Sequence, residues 1–170
     1  MNYLYRYSSK MGDIYLLSDG TYLTGICYNV AKYNNYKEER HFSFDETIRW
    51  LDIYFSGNIP DFMPRLKYDT TAFRKEVWDI LLKIPYGKTI TYGDIAEEIA
   101  IKKGLNKMSS QAIGTACGYN NFPIISPCHR VIGRCNNLLN YMAGSDKKLF
   151  LLKLEGVDLD KYAKRNNKNR

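Results

Sequence analysis

Residues 91–118, TYGDIAEEIAIKKGLNKMSSQAIGTACG, set the architecture of the second half of the chain. Thr91 and Asp94 have the spacing of a capping box, in which a hydroxyl and a carboxylate reciprocally satisfy the first backbone amides of a helix. Ile95, Ala96, Ile99 and Ala100 follow at helical spacing, which predicts a helix starting at Thr91. The polar KKGLNKM stretch interrupts it. Ser109 or Ser110 then caps a second helix, whose small or apolar residues Ala112, Ile113, Ala116 and Cys117 end at Gly118. Two short helices about a turn suggest a helix-turn-helix, although this turn exceeds the usual length of about three or four residues.

Upstream, Phe73, Val77, Ile80, Leu81 and Ile84 recur at helical spacing behind the candidate caps Thr70 and Thr71, and Pro85-Tyr86-Gly87 ends the run. Residues 57–69, GNIPDFMPRLKYD, hold two prolines and a glycine that resist regular structure, so a domain boundary is expected there. Before it, the runs YLYRY, DIYLL and TYLTGICY are separated by Ser8-Ser9, Gly12 and Asp19-Gly20, the last a hairpin signal. They predict a small antiparallel sheet. Asp45 to Phe55 places Ile48, Leu51 and Phe55 on one helical face, with Gly57 as a stop. The expected class is α/β: an N-terminal sheet-and-helix domain over 1–66, a mainly helical domain over 67–160 and a basic tail over 161–170.

The chain has 170 residues, 45% hydrophobic and 14% aromatic, enough to fill a core and to exclude disorder as the main state. Lys10, Asp13, Lys83 and similar charges interrupt every apolar run before the roughly 18 residues of a membrane span, and the first stretch lacks a signal-peptide pattern. A soluble, cytoplasmic protein is expected. The net charge of +7 invites a nucleic-acid reading, but Lys161, Lys164, Arg165, Lys168 and Arg170 supply most of it; residues 1–160 carry 20 basic against 18 acidic side chains, or +2. Such a tail reads first as a solvated end, and near a polyanion it adds salt-sensitive attraction. Cys27, Cys117, Cys128 and Cys135 form no paired CxxC pattern, so free thiols are expected rather than a disulfide framework or zinc ribbon.

The chemistry-bearing segment is Asn120 to Ile132, NNFPIISPCHRVI. Cys128 follows a proline and precedes His129 and Arg130, groups that can accept a proton or favour a thiolate. On residues alone, a cysteine beside Ile, Pro and Val reads first as a buried small hydrophobe.

Pro127-Cys128-His129-Arg130-Val131-Ile132 closely resembles the active-site motif of the O6-alkylguanine-DNA alkyltransferases, also called methylated-DNA–protein-cysteine methyltransferases. The run from Phe73 to Leu81, Thr91-Tyr92, Ala112-Ile113-Gly114, Asn120, Asn140-Tyr141 and Leu151 to Gly156 resemble further blocks of that family in the same order. The resemblance covers residues 70–157 and is only architectural over 1–66. It implies an RNase H-like N-terminal unit and a winged helix-turn-helix-like core in the second.

The resemblance also implies roles. An alkyl group on guanine O6 passes by in-line displacement to the Cys128 sulfur, once only, because the thioether has no leaving group for water; O4-alkylthymine is a second candidate substrate. His129 takes the thiol proton through a water, Glu155 orients the imidazole, Tyr92 serves the leaving base at N3, and Asn120 braces the motif. Ser110, Gln111, Ala112, Gly114 and Arg130 are implied at double-stranded DNA, and Tyr141, Met142 and Cys117 at the substrate pocket. Three departures stand out. Gln111 replaces the arginine that many members insert into the base stack, which predicts weaker support of the flipped state. Met142 stands in a segment often rich in serine or glycine. Cys27 and His41 cannot complete the zinc set of some relatives, so no metal and no cofactor are expected. A monomer is expected. Two competing readings are a non-catalytic alkyltransferase-like lesion binder, which lacks the reactive cysteine, and a helix-turn-helix regulator with a redox-sensing thiol.

Overall fold

A computed structural model describes residues 1–134, 138, 141–160 and 162; the expectations for Cys135, Asn140 and the basic residues of the tail lie outside them. The chain divides into two compact units, Met1–Asp69 and Thr70–Arg170. In the first, β1 (Tyr3–Ser9), β2 (Gly12–Ser18) and β3 (Leu23–Cys27) run antiparallel, and β4 (Lys37–Glu38) joins the free edge of β1 in parallel, giving the order β3-β2-β1-β4. The sheet is therefore mixed rather than antiparallel as expected. Lys37 and Glu38 are exposed charged residues in a two-residue strand, with no alternation for a sequence to display.

Asp19 closes the turn between β2 and β3, its Oδ1 accepting from the Thr21 and Tyr22 amides at 3.0 and 2.9 Å. Leu23 N–H donates to Arg65 O and Lys67 N–H to Leu23 O, both at 2.9 Å, so residues 65–67 lie along β3 and the unit extends past the expected boundary at 66/67. The first helix, α1 (Asp45–Phe55), buries Thr47, Trp50, Leu51, Tyr54 and Phe55. Ile48 is only half-buried, because the apolar stripe centres on Leu51.

The second unit begins with α2 (Ala72–Leu81), whose first turn is capped by Thr71 Oγ1 accepting from Arg74 N–H at 3.3 Å. The expected capping box forms in full: Thr91 Oγ1 accepts from Asp94 N–H at 3.1 Å, and Asp94 Oδ2 from Thr91 N–H at 2.7 Å, starting α3 (Tyr92–Lys103). Gly104, at φ +64°, stops it in the left-handed conformation that suits a glycine. After residues 104–109, Ser109 caps α4 (Ser110–Gly118). The Trp78 indole of α2 donates to Ala116 O of α4 at 2.9 Å and fixes the two helices through a fully buried ring.

A short parallel pair, β5 (Ile90–Thr91) with β6 (Val131–Ile132), sets Ile90 opposite Val131. Because β5 runs straight into α3 and β6 leaves the tight turn Cys128–Arg130, this ladder holds Tyr92 and Cys128 in one neighbourhood. Last comes α5 (Ser145–Leu154), which ends at Glu155. No helix among the described residues is long and apolar enough to cross a membrane.

Candidate active site

Cys128 opens the tight turn Cys128–Arg130 and is 4% exposed. It lines a half-open cavity of about 170 Å³ with Tyr92, Gly114, Cys117, Gly118, Tyr141 and Met142. Pockets for drug-sized ligands run to roughly 300–1,000 Å³, so this one suits a single small ring system. Six of the expected site residues thus meet here: Cys128, Tyr92, the pocket residues Cys117, Tyr141 and Met142, and Gly114, which was expected at DNA.

Asn120 braces the acceptor loop at three points. Its Nδ2 donates to Ser126 O at 2.7 Å and to Cys128 Sγ at 3.2 Å, while its Oδ1 accepts from Phe122 N–H at 3.0 Å. The side chain is 1% exposed, so these bonds stand where water does not compete. Inside the loop, Ile124 is fully buried at φ +77°, a conformation that a β-branched residue adopts only when its surroundings impose it. Burial pushes the Cys128 thiol up, against the Asn120 donor, the nearby Lys148 charge and the local amides. The resting group is the thiol, and any reaction through the sulfur would need its proton removed.

Behind the cysteine, His129 Nε2 lies 2.7 Å from Glu155 Oε1. The carboxylate also accepts from Arg130 Nη2 at 3.0 Å and, on Oε2, from Arg130 Nε at 2.8 Å and Gly87 N–H at 3.1 Å. Burial alone would raise the Glu155 carboxyl, but the His129 and Arg130 bonds and charges outweigh it and hold it at about 2. Burial lowers His129 in spite of Glu155, with the Arg130 and Lys148 charges assisting. His129 is accordingly neutral near pH 7, and the lasting charge that keeps Glu155 ionised is Arg130. With its Nε2 proton directed at a carboxylate, the imidazole carries its lone pair on Nδ1, the form of a general base.

Arg130 corrects an expectation. Rather than facing DNA, it is 8% exposed and spends its guanidinium on Glu155 and, through Nη1, on Ile84 O at 2.7 Å. A charge so placed must be paired to be tolerated. Gly87, read in the sequence only as part of a helix terminator, is built into the same cluster. Its φ is +71°, and a Cβ there would stand 2.8 Å from Glu155 O.

Lys148 is the residue the sequence reading missed. It is fully buried, donates to Val131 O at 2.6 Å, and burial lowers it to about 8 in spite of the neighbouring Cys128 and Cys117. The signal was its place one helical turn before Leu151 and Leu152, on the stripe that ends at Glu155. Tyr92 is pushed up to about 12, by burial first and then by Cys117 and Cys128, so it keeps its proton as a donor. The Tyr141 ring meets the His129 ring edge-on, with centroids 6.5 Å apart, and Met142 is 49% exposed at the cavity.

The remaining expected DNA contacts lie on α4. Gln111, Thr115 and Gly118 form its exposed ridge, with Ser110, Ala112 and Gly114 half-buried at its sides. A Cβ at Gly114 would meet the Tyr92 ring at 3.9 Å, an ordinary contact, and one at Gly118 would meet nothing within 4 Å. Packing within the protein therefore does not require either glycine, although each costs about 1 kcal/mol in a helix relative to alanine.

Residues 72–157 match the family described as "6-O-methylguanine DNA methyltransferase, DNA binding domain". A methylated-DNA–protein-cysteine methyltransferase of Methanosarcina acetivorans is 40% identical over 155 residues, 88% of this chain and 96% of that protein. The crystal structure of Mycobacterium tuberculosis O6-methylguanine methyltransferase superposes with a TM-score of 0.78 at 33% identity, covering 91% of this chain and 93% of the other. The Mycobacterium tuberculosis OGT structure in complex with DNA gives the same TM-score and identity over 90% of this chain and 92% of that one.

Proposed function

The chain belongs to the 6-O-methylguanine DNA methyltransferase family, and on that premise we propose that it repairs DNA directly, moving an alkyl group from guanine O6 to Cys128. The observation that carries this is a braced, buried cysteine on a base-sized cavity, with the next residue in the chain, His129, paired to the Glu155 carboxylate. O4-alkylthymine is a further substrate of the same chemistry.

His129 takes the Cys128 proton through a water, as the family resemblance implies, and the ionised Glu155 stabilises the imidazolium that forms. Lys148 adds a buried positive charge beside the developing thiolate. Sulfur forms its bond to the alkyl carbon as the C–O bond breaks. The bonding pair passes into the purine, and Tyr92 donates toward N3 so that guanine leaves neutral. The product thioether is not reversed by water, and each molecule acts once.

Guanine O6 is hidden in a duplex, so the nucleotide must be flipped out, at a cost of a few kcal/mol that is least for a damaged pair. The bare Gly114 and Gly118 surface of α4 suits close approach of a nucleic-acid backbone, and Gln111 on the same ridge fills the vacated stack. Residues 70–160 form the DNA-binding and alkyl-acceptor domain, with α3 and α4 as the helix-turn-helix of a winged-helix-like core. Residues 1–69 form an RNase H-like α/β domain, and 161–170 a basic tail. The protein works as a cytoplasmic monomer on double-stranded DNA, without a cofactor.

Incubation with an O6-methylguanine duplex should add the mass of one CH2 to the Cys128 peptide and leave Cys128→Ser unmodified. Tight lesion binding with no mass change would instead make the protein a non-catalytic binder.

A further inference from the structure

The exposed ridge of α4, Gln111, Thr115 and Gly118, has the cavity on one flank, where Gly114 and Cys117 line it with Gly118. The other flank belongs to α2, because Ala116 O receives the Trp78 indole of that helix. At that flank Tyr119, which ends α4, is 55% exposed, and the Arg74 guanidinium of α2 lies against its ring, 3.7 Å from the centroid.

Arg74 differs from its cationic neighbours. Lys75 pairs with Asp79, and Lys102 and Lys103 pair with Glu76, whereas Arg74 enters none of the ion pairs among the described residues. A guanidinium stacked on a ring engages the ring through its face and keeps its N–H donors in plane, directed outward. Two parallel donors fit two oxygens of one phosphate. Stacking also restricts the long side chain before any ligand arrives, which lowers the entropy lost on binding.

We propose that Arg74, held flat by Tyr119, is a phosphodiester-binding site that grips the DNA strand across the groove from the lesion. This rests on the reading of α4 as the element that enters the groove. A helix is about 10 Å across, so one lying in a groove has a phosphate backbone on each flank. The cavity flank faces the strand that delivers the flipped nucleotide, and the Arg74 flank faces its complement. Ion pairing and stacking there would hold the duplex while the base is out, a task made heavier by Gln111 in the stack.

The test compares the full chain with Arg74→Ala, Arg74→Lys and Tyr119→Leu, titrating an undamaged duplex across a series of salt concentrations. Each phosphate contact contributes about 0.9 to the slope of log affinity against log salt, so Arg74→Ala should lower the slope by about 1. Arg74→Lys should keep the slope and weaken binding a few-fold, and Tyr119→Leu should do the same. Alkylation of Cys128 by iodoacetamide, read on its peptide, should stay unchanged in all three, which verifies that the fold and thiol are intact. On an O6-methylguanine duplex held by Cys128→Ser, a single methylphosphonate scanned along both strands should reveal one phosphate of the complementary strand at which adding Arg74→Ala causes no further loss. An unchanged slope in Arg74→Ala, or coupling confined to the lesion strand, overturns the proposal while methyl transfer by the parent leaves the repair reading standing. A parent that neither binds duplex nor accepts methyl would instead remove the repair reading itself.

Discussion

Glu155 Oε1 lies 2.7 Å from His129 Nε2, and the same carboxylate receives both a forked Arg130 and the Gly87 amide. One carboxylate at the end of α5 thus fixes the tautomer of the base, neutralises a buried guanidinium and closes a turn. Removing its charge touches all three.

In Glu155→Gln the imidazolium loses its counter-charge, so transfer from DNA should slow by about a hundredfold. The apparent pKa of Cys128, read from iodoacetamide alkylation against pH, should rise above the parent value. An unchanged alkylation profile would separate Glu155 from the thiol.

Acid stability carries the same signature. The Glu155 carboxyl is held at about 2 against an ordinary value of 4.5, so between those values the unfolded chain binds the extra proton. The stabilisation is full above about pH 4.5 and is lost as pH falls toward 2, of the order of 3 kcal/mol in all. Urea midpoints measured across that range should fall steeply in the parent and more shallowly in Glu155→Gln; parallel curves would remove the assignment.

Tyr92→Phe keeps the ring beside the cavity and deletes the donor. Transfer from the methylated duplex should slow by about a hundredfold, while iodoacetamide, which has no purine to protonate, should react with Cys128 at the parental rate. Equal slowing of both reactions would mean that the hydroxyl organises the thiol rather than the leaving group.

Gly118→Ala tests what the bare helix surface is for. Its Cβ would enter open space, so the free protein should gain about 0.4–1 kcal/mol in unfolding free energy, while transfer from duplex DNA slows. Gain in stability with undiminished transfer would show that no backbone comes close at that position.

Much of this was legible because short, local rules governed it. Thr71, Thr91 and Ser109 each cap the helix that follows, and each cap involves residues within one turn. Tyr92 and the pocket residues Cys117, Tyr141 and Met142 were implied by the family resemblance of the motif blocks rather than by any local rule, and they line the Cys128 cavity. What stayed hidden depends on partners far away in sequence. Lys37–Glu38 and the two-residue pair β5–β6 are strands only because of what lies beside them. Arg130 looked available because Glu155, 25 residues on, and Ile84, 46 residues back, become its neighbours only in the folded chain. Lys148 drew no expectation, because its carbonyl partner Val131 and two buried thiols become its neighbours only in the folded chain.

Ile124 at φ +77° bears on when the protein becomes competent. A backbone placement of this kind costs about 1–3 kcal/mol and survives only when the surrounding core imposes it. The groups that make Cys128 a reagent are also strung from Tyr92 to Glu155, so the set is incomplete until residue 155 has been made and has folded back onto His129. A nascent or half-assembled copy therefore owns the cysteine without its reactivity, and the irreversible reaction is reserved for molecules that have finished folding.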